Sequence, residues 1–159
     1  MDVRHISALE VAVSAPDEET CANTLREIRW PHGVVKCVKC NSIKVNRDGK
    51  SGPFRKYWCK SCGTYFNDRS RTIFQDTKVP LSKWFRMSLL LGIGTSIAKI
   101  SRDVGISYRN TYYLVKKLRG SAYPKRIAES LSAQVRASEK ARADATDLPE
   151  AQQRVLRVI

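Results

Sequence analysis

VVKCVKCNSIK (residues 34–44) and YWCKSCGTYF (residues 57–66) contain two Cys-x-x-Cys pairs separated by 18 residues. The four cysteines are Cys37, Cys40, Cys59 and Cys62. This spacing is typical of a zinc site, in which two tight turns direct four thiolates at one ion. Because the protein fills all four coordination positions, we expect one structural Zn²⁺ rather than a catalytic one. Iron in a rubredoxin-like cage is the alternative that the same ligands allow.

The residues around the cysteines support a metal site over a disulfide framework or a redox pair. Disulfides are typical of secreted proteins, and a thioredoxin-like motif has a single pair in a βαβ context. Asn41 and Gly63 follow the second cysteine of each pair and tolerate positive φ. The stretch 43–58 predicts strand, turn and strand. The fifth cysteine, Cys21, falls in an amphipathic helix and is expected to be a core residue.

The net charge of +14 is concentrated in the middle of the chain. Residues 31–120 contain 19 Lys and Arg against four acids, a net of +15. So much charge of one sign repels itself and predicts a polyanionic partner. No apolar run reaches the roughly 20 residues of a membrane span. The N-terminus has no secretory pattern, so a cytoplasmic, nucleoid-associated protein without membrane contact is expected.

Residues 80–120 have the pattern of three helices. PLSKWFRMSLLLGIG (80–94) predicts one helix, and the second ends near Val104. Gly105 provides a left-handed turn, Ser107 an N-cap, and the third helix runs to about Arg119. The predicted inward residues are Ile97, Ile100, Val104, Ile106, Thr111, Leu114 and Leu118. Apolar residues on both sides of a single Gly predict a helix-turn-helix.

In such a motif the second helix enters the major groove of DNA. Its predicted contact residues are Ser107, Tyr108, Arg109, Asn110, Tyr112, Tyr113, Lys116 and Lys117. Arg109 fits bidentate pairing with guanine, and Asn110 fits adenine if it faces outward. The ribbon is expected to contact phosphates or a minor groove through Lys36, Lys39, Lys44, Arg55, Lys56 and Lys60.

The ordered motifs resemble the N-terminal region of zinc-ribbon insertion-sequence transposases of the DDE class. The matching positions are Leu25, Arg29, Trp30, Pro31, Gly33, Thr72, Phe74, Pro80, Leu81 and Trp84. The resemblance covers residues 17–120 and implies binding to the terminal inverted repeats of a mobile element. Val38, Asn41 and Arg71 depart from the family pattern. The family continues into an RNase H-like catalytic domain, whereas 39 residues follow Gly120 here.

The tail predicts helices rather than strands. One helix is expected from about Pro124 to Ala143, and a shorter one after Asp147. Its acids fall on helical surface, so no catalytic residues are assigned and no enzyme activity is expected. The stripe formed by Ile127, Leu131 and Val135 either pairs two copies as a homodimer or packs on the preceding helix.

The sequence therefore predicts a small α+β fold. The predicted order is a flexible N-terminus (1–16), a helix with a zinc ribbon (17–76), a three-helix helix-turn-helix unit (77–120) and a helical tail (121–159). The predicted function is sequence-preferring binding of double-stranded DNA, either as a transcription regulator or at inverted repeats. The rival is an RNA-binding or ribosome-associated zinc-ribbon protein, with Tyr57, Trp58, Tyr65 and Phe66 stacking on bases.

Overall fold

The computed structural model describes residues 16–146. Its elements are α1 (Glu18–Arg29), β1 (Val45–Ser51), β2 (Phe54–Cys59), β3 (Tyr65–Asn67), α2 (Leu81–Gly92), α3 (Ile97–Val104), α4 (Tyr108–Arg119) and α5 (Tyr123–Thr146). This is the small α+β fold predicted from the sequence. The N-terminus predicted to be flexible (1–16), apart from Pro16, and the short helix predicted after Asp147 lie outside the described residues. Within those residues, no helix combines the length and apolar character that crossing a bilayer requires.

The sheet is antiparallel with strand order β1-β2-β3. β1 and β2 form the predicted hairpin, in which Val45 pairs with Cys59 and Ser51 with Phe54. β3 pairs with β2, with Phe66 opposite Tyr57, and it was not predicted from the sequence. Three residues are too few to show strand periodicity. β3 forms because the chain turns back along β2 after the second cysteine pair.

A carboxylate from α1 caps the start of α2. Pro80 occupies the N-cap position and offers no side-chain acceptor. Glu18 accepts hydrogen bonds from the amides of Leu81 at 2.7 Å and Ser82 at 2.9 Å. A negative group at a helix N-terminus also interacts favourably with the helix dipole. The first helix thus holds the beginning of the helical unit that follows the ribbon.

α3 and α4 meet at the predicted turn. Gly105 has φ 65° and ψ 47°, the left-handed conformation, and Ser107 caps α4 through the amide of Asn110. Lys83 of α2 donates to the Gly105 carbonyl at 3.5 Å. Four predicted inward residues are buried: Ile100, Val104, Thr111 and Leu118. Ile97, Ile106 and Leu114 are half-buried. Val115 is buried as well and was not predicted.

Two separate cores hold these elements together. The larger core joins α1 to the helices after the ribbon, and it includes Leu25, Phe74, Trp84 and Ile127. The smaller core lies in the ribbon, where Tyr57 stacks on Phe66 at 5.3 Å and meets the edge of Trp30 at 5.5 Å. In the larger core, α1 packs with helices that are distant from it in sequence.

α5 packs along α1. Ile127 is fully buried, Leu131 packs against the same core, and Arg126 donates to the Ile28 carbonyl at 2.7 Å. Val135 is 50% exposed. Ile127 and Leu131 of the apolar stripe therefore pack against the core of their own chain. Pairing of two copies stays a prediction.

A buried carboxylate joins the ribbon to α1. Asp68 is fully buried and accepts from the Arg26 guanidinium at 2.7 Å. It also accepts from the Arg55 amide at 2.7 Å and the Tyr57 hydroxyl at 3.0 Å. Burial, and then the Asp68 carboxylate, raise the pKa of Tyr57 to about 12, so its hydroxyl remains a donor.

Arg29 reinforces this junction through the backbone. Its guanidinium donates to the carbonyls of Asn67 at 3.2 Å, Ser70 at 2.9 Å and Asp68. It also lies over the Trp30 ring, 4.3 Å from the centroid. The two arginines in the last turn of α1 therefore fix the chain segment that leaves β3.

Asp68→Asn is expected to lower the free energy of unfolding of the zinc-loaded protein by about 3 kcal/mol, because Arg26 loses its partner inside the protein. Urea denaturation followed by circular dichroism measures this change. Asp48→Asn, at an exposed position in β1, is the matched control and is expected to have little effect. Equal effects of the two substitutions would contradict the structural role of Asp68.

Candidate metal centre and nucleic-acid interface

The four predicted cysteines converge at one end of the ribbon. Their sulfurs all lie within 4.8 Å of one another. The Sγ atoms of Cys37 and Cys62 are 3.6 Å apart, as are those of Cys40 and Cys59. Zn–S bonds of about 2.3 Å in a tetrahedron place sulfurs about 3.8 Å apart. The donor set and its geometry therefore fit one structural zinc ion.

Two equivalent turns direct the thiols to this point. In the first, the Asn41 amide donates to the Cys37 carbonyl at 3.0 Å; in the second, the Gly63 amide donates to Cys59 at 2.9 Å. Asn41 has φ 60° and Gly63 has φ 70°, as their residue types predicted. Positive φ at these positions reverses the chain directly after the second thiol.

Hydrogen bonds and neighbouring sulfurs shift the pKa values of the thiols in opposite directions. Hydrogen bonding to the Thr64 side chain and backbone lowers the pKa of Cys62 to about 6. At Cys40 a hydrogen bond from Ser42 lowers the pKa, but the neighbouring Cys62 sulfur, burial and the other two sulfurs raise it to about 12. Four adjacent thiolates repel one another, and a central dication offsets this repulsion.

Cys21 is separate from this cluster. It is fully buried in the larger core, and its thiol donates to the Pro16 carbonyl at 3.5 Å. Burial raises the pKa of the thiol to about 12. Its position matches the expected core role.

The predicted contact residues of α4 form an exposed surface. Exposure extends over Ser107, Tyr108, Arg109, Asn110, Tyr112, Tyr113, Lys116 and Lys117. Arg109, Tyr112 and Lys116 share one face by their spacing, opposite the buried Thr111 and Leu118. Asn110 is rotated by about 100° from Arg109, so it lies at the side of that face. The Ser107 hydroxyl caps the helix, so it is already engaged.

The ribbon cations occupy different positions. Lys36, Lys39, Lys44, Lys56 and Lys60 are exposed, whereas Arg55 is half-buried. Consecutive strand residues point to opposite faces, so Arg55 and Lys56 do not share a surface. Lys44 and Lys60 come together because the Lys60 amide donates to the Lys44 carbonyl at 2.9 Å.

The four aromatic residues considered for base stacking divide into two pairs. Tyr57 and Phe66 are 1% and 6% exposed within the ribbon core, so their rings are covered by protein. Trp58 and Tyr65 form a pair with centroids 6.4 Å apart, and Tyr65 is 69% exposed. The sheet pairing places these two on the face opposite the core.

The ribbon is similar to a known family of domains. Residues 16–65 match the family described as "Transposase zinc-ribbon domain". A similar protein is "Uncharacterized protein in transposable element ISH50" from Halobacterium salinarum (strain ATCC 700922 / JCM 11081 / NRC-1), 36% identical over 101 residues. The alignment covers 63% of this chain and 34% of that protein, so the chain spans about a third of its relative. No solved structure matches the chain.

These comparisons confirm the resemblance found in the sequence. The aligned 101 residues exceed the 50 residues of the ribbon match, so the similarity extends beyond the ribbon.

Two departures from the family pattern, Asn41 and Arg71, both have positive φ, 60° and 57°. Glycine adopts that conformation freely. Asn tolerates it well, whereas Arg71 adopts it at a cost of about 1–2 kcal/mol.

Cys59→Ser is expected to lose the zinc ion and expose Trp30, because the ribbon core loses a ligand that is fully buried beside it. Zinc content per chain and tryptophan fluorescence measure the two effects. Cys21→Ala is the control and is expected to keep one zinc per chain. Full zinc content in Cys59→Ser would contradict the four-sulfur site.

Proposed function

We propose that this protein binds double-stranded DNA with a sequence preference, using α4 to read bases and the ribbon to hold phosphates. The observation that carries the proposal is the exposed face of α4. It presents a guanidinium, tyrosine hydroxyls and lysines directly after a tight turn. A transposase-type zinc ribbon precedes it in the same chain.

The arrangement of α3 and α4 supports a helix-turn-helix. Gly105 and Ser107 produce a short turn, and buried residues on both helices hold it against α2. In this motif, residues at the beginning of the second helix contact base edges. Arg109 is then placed for bidentate contact with guanine. Lys116 and Lys117, farther along α4, are suited to backbone phosphates.

The ribbon supplies a second region of positive charge. Lys36 directly precedes Cys37, Lys39 directly precedes Cys40, and Lys60 lies between Cys59 and Cys62. The zinc turns hold the backbone of these lysines, so less freedom is lost when they meet phosphates. Such contacts position a protein on the duplex without reading its sequence.

The transposable-element relative supports a proposal for the biological role. We propose that the chain binds the terminal inverted repeats of a mobile element, or acts as a transcription regulator derived from such a protein. In either role it is associated with the nucleoid and performs no strand chemistry of its own. The zinc ion has no open coordination position and serves the fold.

The rival function, single-stranded RNA binding, has weaker support. Two of its four aromatic residues, Tyr57 and Phe66, are buried. The half-buried Trp58 and the exposed Tyr65 are the remaining surface for base stacking. Competition between a duplex and either single strand distinguishes the two functions, because a preference for the single strand contradicts duplex recognition.

Duplex binding is expected to depend strongly on salt. If the protein contacts 6–10 phosphates, its affinity falls by about 10³–10⁵ between 50 and 200 mM salt. Fluorescence anisotropy with a labelled duplex measures this change. The same chain incubated with the duplex and Mg²⁺ or Mn²⁺ is expected to leave the DNA uncut. A flat salt response would contradict the electrostatic basis of binding.

Arg109→Ala and Lys60→Ala are expected to have different effects. The first is expected to relax preference at one base pair, at a cost of about 1–3 kcal/mol on the preferred sequence. The second is expected to weaken all sequences about equally. Binding to a set of duplexes that differ at single positions separates the two outcomes. Identical profiles for both variants would refute the division between base reading and phosphate contact.

A further inference from the structure

A basic cleft lies between the first cysteine turn, the end of α1 and the beginning of α5. Its volume is about 390 Å³. Four cations, a tyrosine and an asparagine from three separate parts of the chain line it: Arg29, Lys36, Lys39, Asn41, Tyr123 and Arg126. No carboxylate is among the residues that line it.

In the described part of the chain, none of the cations in the cleft is in direct contact with a carboxylate. Within residues 16–146, none of its four cations forms an ion pair with a carboxylate. Arg29 and Arg126 are held in place by backbone carbonyls, Arg126 by that of Ile28 at 2.7 Å. Carbonyls fix the guanidinium groups but do not neutralise them. The four cations repel one another, and besides the Cys37 sulfur and the more distant Asp68 carboxylate an anionic ligand offsets this repulsion.

Tyr123 contributes an available hydroxyl. Its ring packs on Phe74 with centroids 4.9 Å apart, so its position is fixed. Arg29 and Arg126 are close enough to the phenol to oppose the effect of burial on its pKa. Among the described residues the hydroxyl has no hydrogen-bond partner. A donor of this kind, beside guanidinium groups and lysines, suits an anion with several acceptor oxygens.

We propose that this cleft binds a phosphate group of the DNA backbone, with Lys39 and Tyr123 as ligands and Arg126 as a supporting charge. The proposal rests on the duplex binding proposed above and adds α5 to the interface. Tyr123 follows Arg119 of α4 by four residues, so their Cα atoms are at most about 14 Å apart. That distance is about four base-pair steps along one strand. A duplex that contacts the end of α4 is therefore within reach of the cleft.

Tyr123→Phe and Lys39→Gln test the site in the zinc-loaded full chain. Neither side chain forms a hydrogen bond within the described residues, and phenylalanine keeps the contact with Phe74. We expect Tyr123→Phe to raise the Kd for duplex DNA about threefold to tenfold, as loss of one hydrogen bond does. We expect Lys39→Gln to raise Kd and to reduce the slope of log K against log salt by about 1.

Lys140→Gln is the matched control. Lys140 is exposed on the same helix, about 26 Å along the axis from Tyr123. It is expected to leave both Kd and the salt slope near the wild-type values. Thermal melting and zinc content verify that all variants are folded. If Tyr123→Phe binds the duplex as tightly as the wild type, the cleft is not a phosphate site in the complex and the proposal is wrong.

A separate measurement distinguishes this proposal from the proposed function. If the wild-type chain does not bind duplex DNA, the proposed function fails, and the cleft is then tested with inorganic phosphate alone. Amide NMR shifts at Lys39 and Tyr123 that saturate with phosphate, and that Lys39→Gln abolishes, would support a site for free phosphate. If these amide shifts are not observed, the cleft binds neither free phosphate nor a DNA phosphate, and the proposal is overturned.

Discussion

The carboxylate of Asp68 is the interaction on which the relation between ribbon and helices depends. It is fully buried and accepts from the guanidinium of Arg26, the hydroxyl of Tyr57 and the amide of Arg55. A buried charge is tolerated only when its partners are in place. Any rotation of the ribbon away from α1 separates Asp68 from Arg26 and leaves both charges unpaired. The network therefore restricts the two parts to one relative orientation.

The ribbon needs the metal because its own core is small. Apart from the cysteines, that core contains three buried aromatic residues, Trp30, Tyr57 and Phe66. A unit of this size cannot bury enough apolar surface to offset the entropy of ordering its loops. Zinc holds one end of the ribbon, and Asp68 with the arginines of α1 holds the other. Fixed in this way at both ends, the ribbon presents its lysines at defined positions relative to α4.

The features that could be predicted from the sequence were those with a local signal. Cysteine spacing predicted the metal site, and Gly105 with Ser107 predicted the turn between α3 and α4, because each pattern specifies a local geometry. Asp68 was counted only as one acid in a basic block, since nothing in its neighbourhood indicates a partner 42 residues away. The cleft likewise combines residues from both ends of the described chain. Such features depend on tertiary packing and leave no local pattern.

Electrostatics connects the fold to the proposed function. Among the described residues, the ion pairs are one buried pair, Arg26 with Asp68, and two exposed pairs at 3.9 Å. Exposed pairs at such distances contribute about 0–1 kcal/mol. Most cations of the central block are therefore balanced by mobile ions rather than by protein carboxylates. A polyanion that replaces those ions gains free energy from their release as well as from direct contact. Neither the two cysteine turns nor α4 contains an acidic residue. Under the proposed function, no carboxylate in these segments would compete with DNA phosphates for the cations.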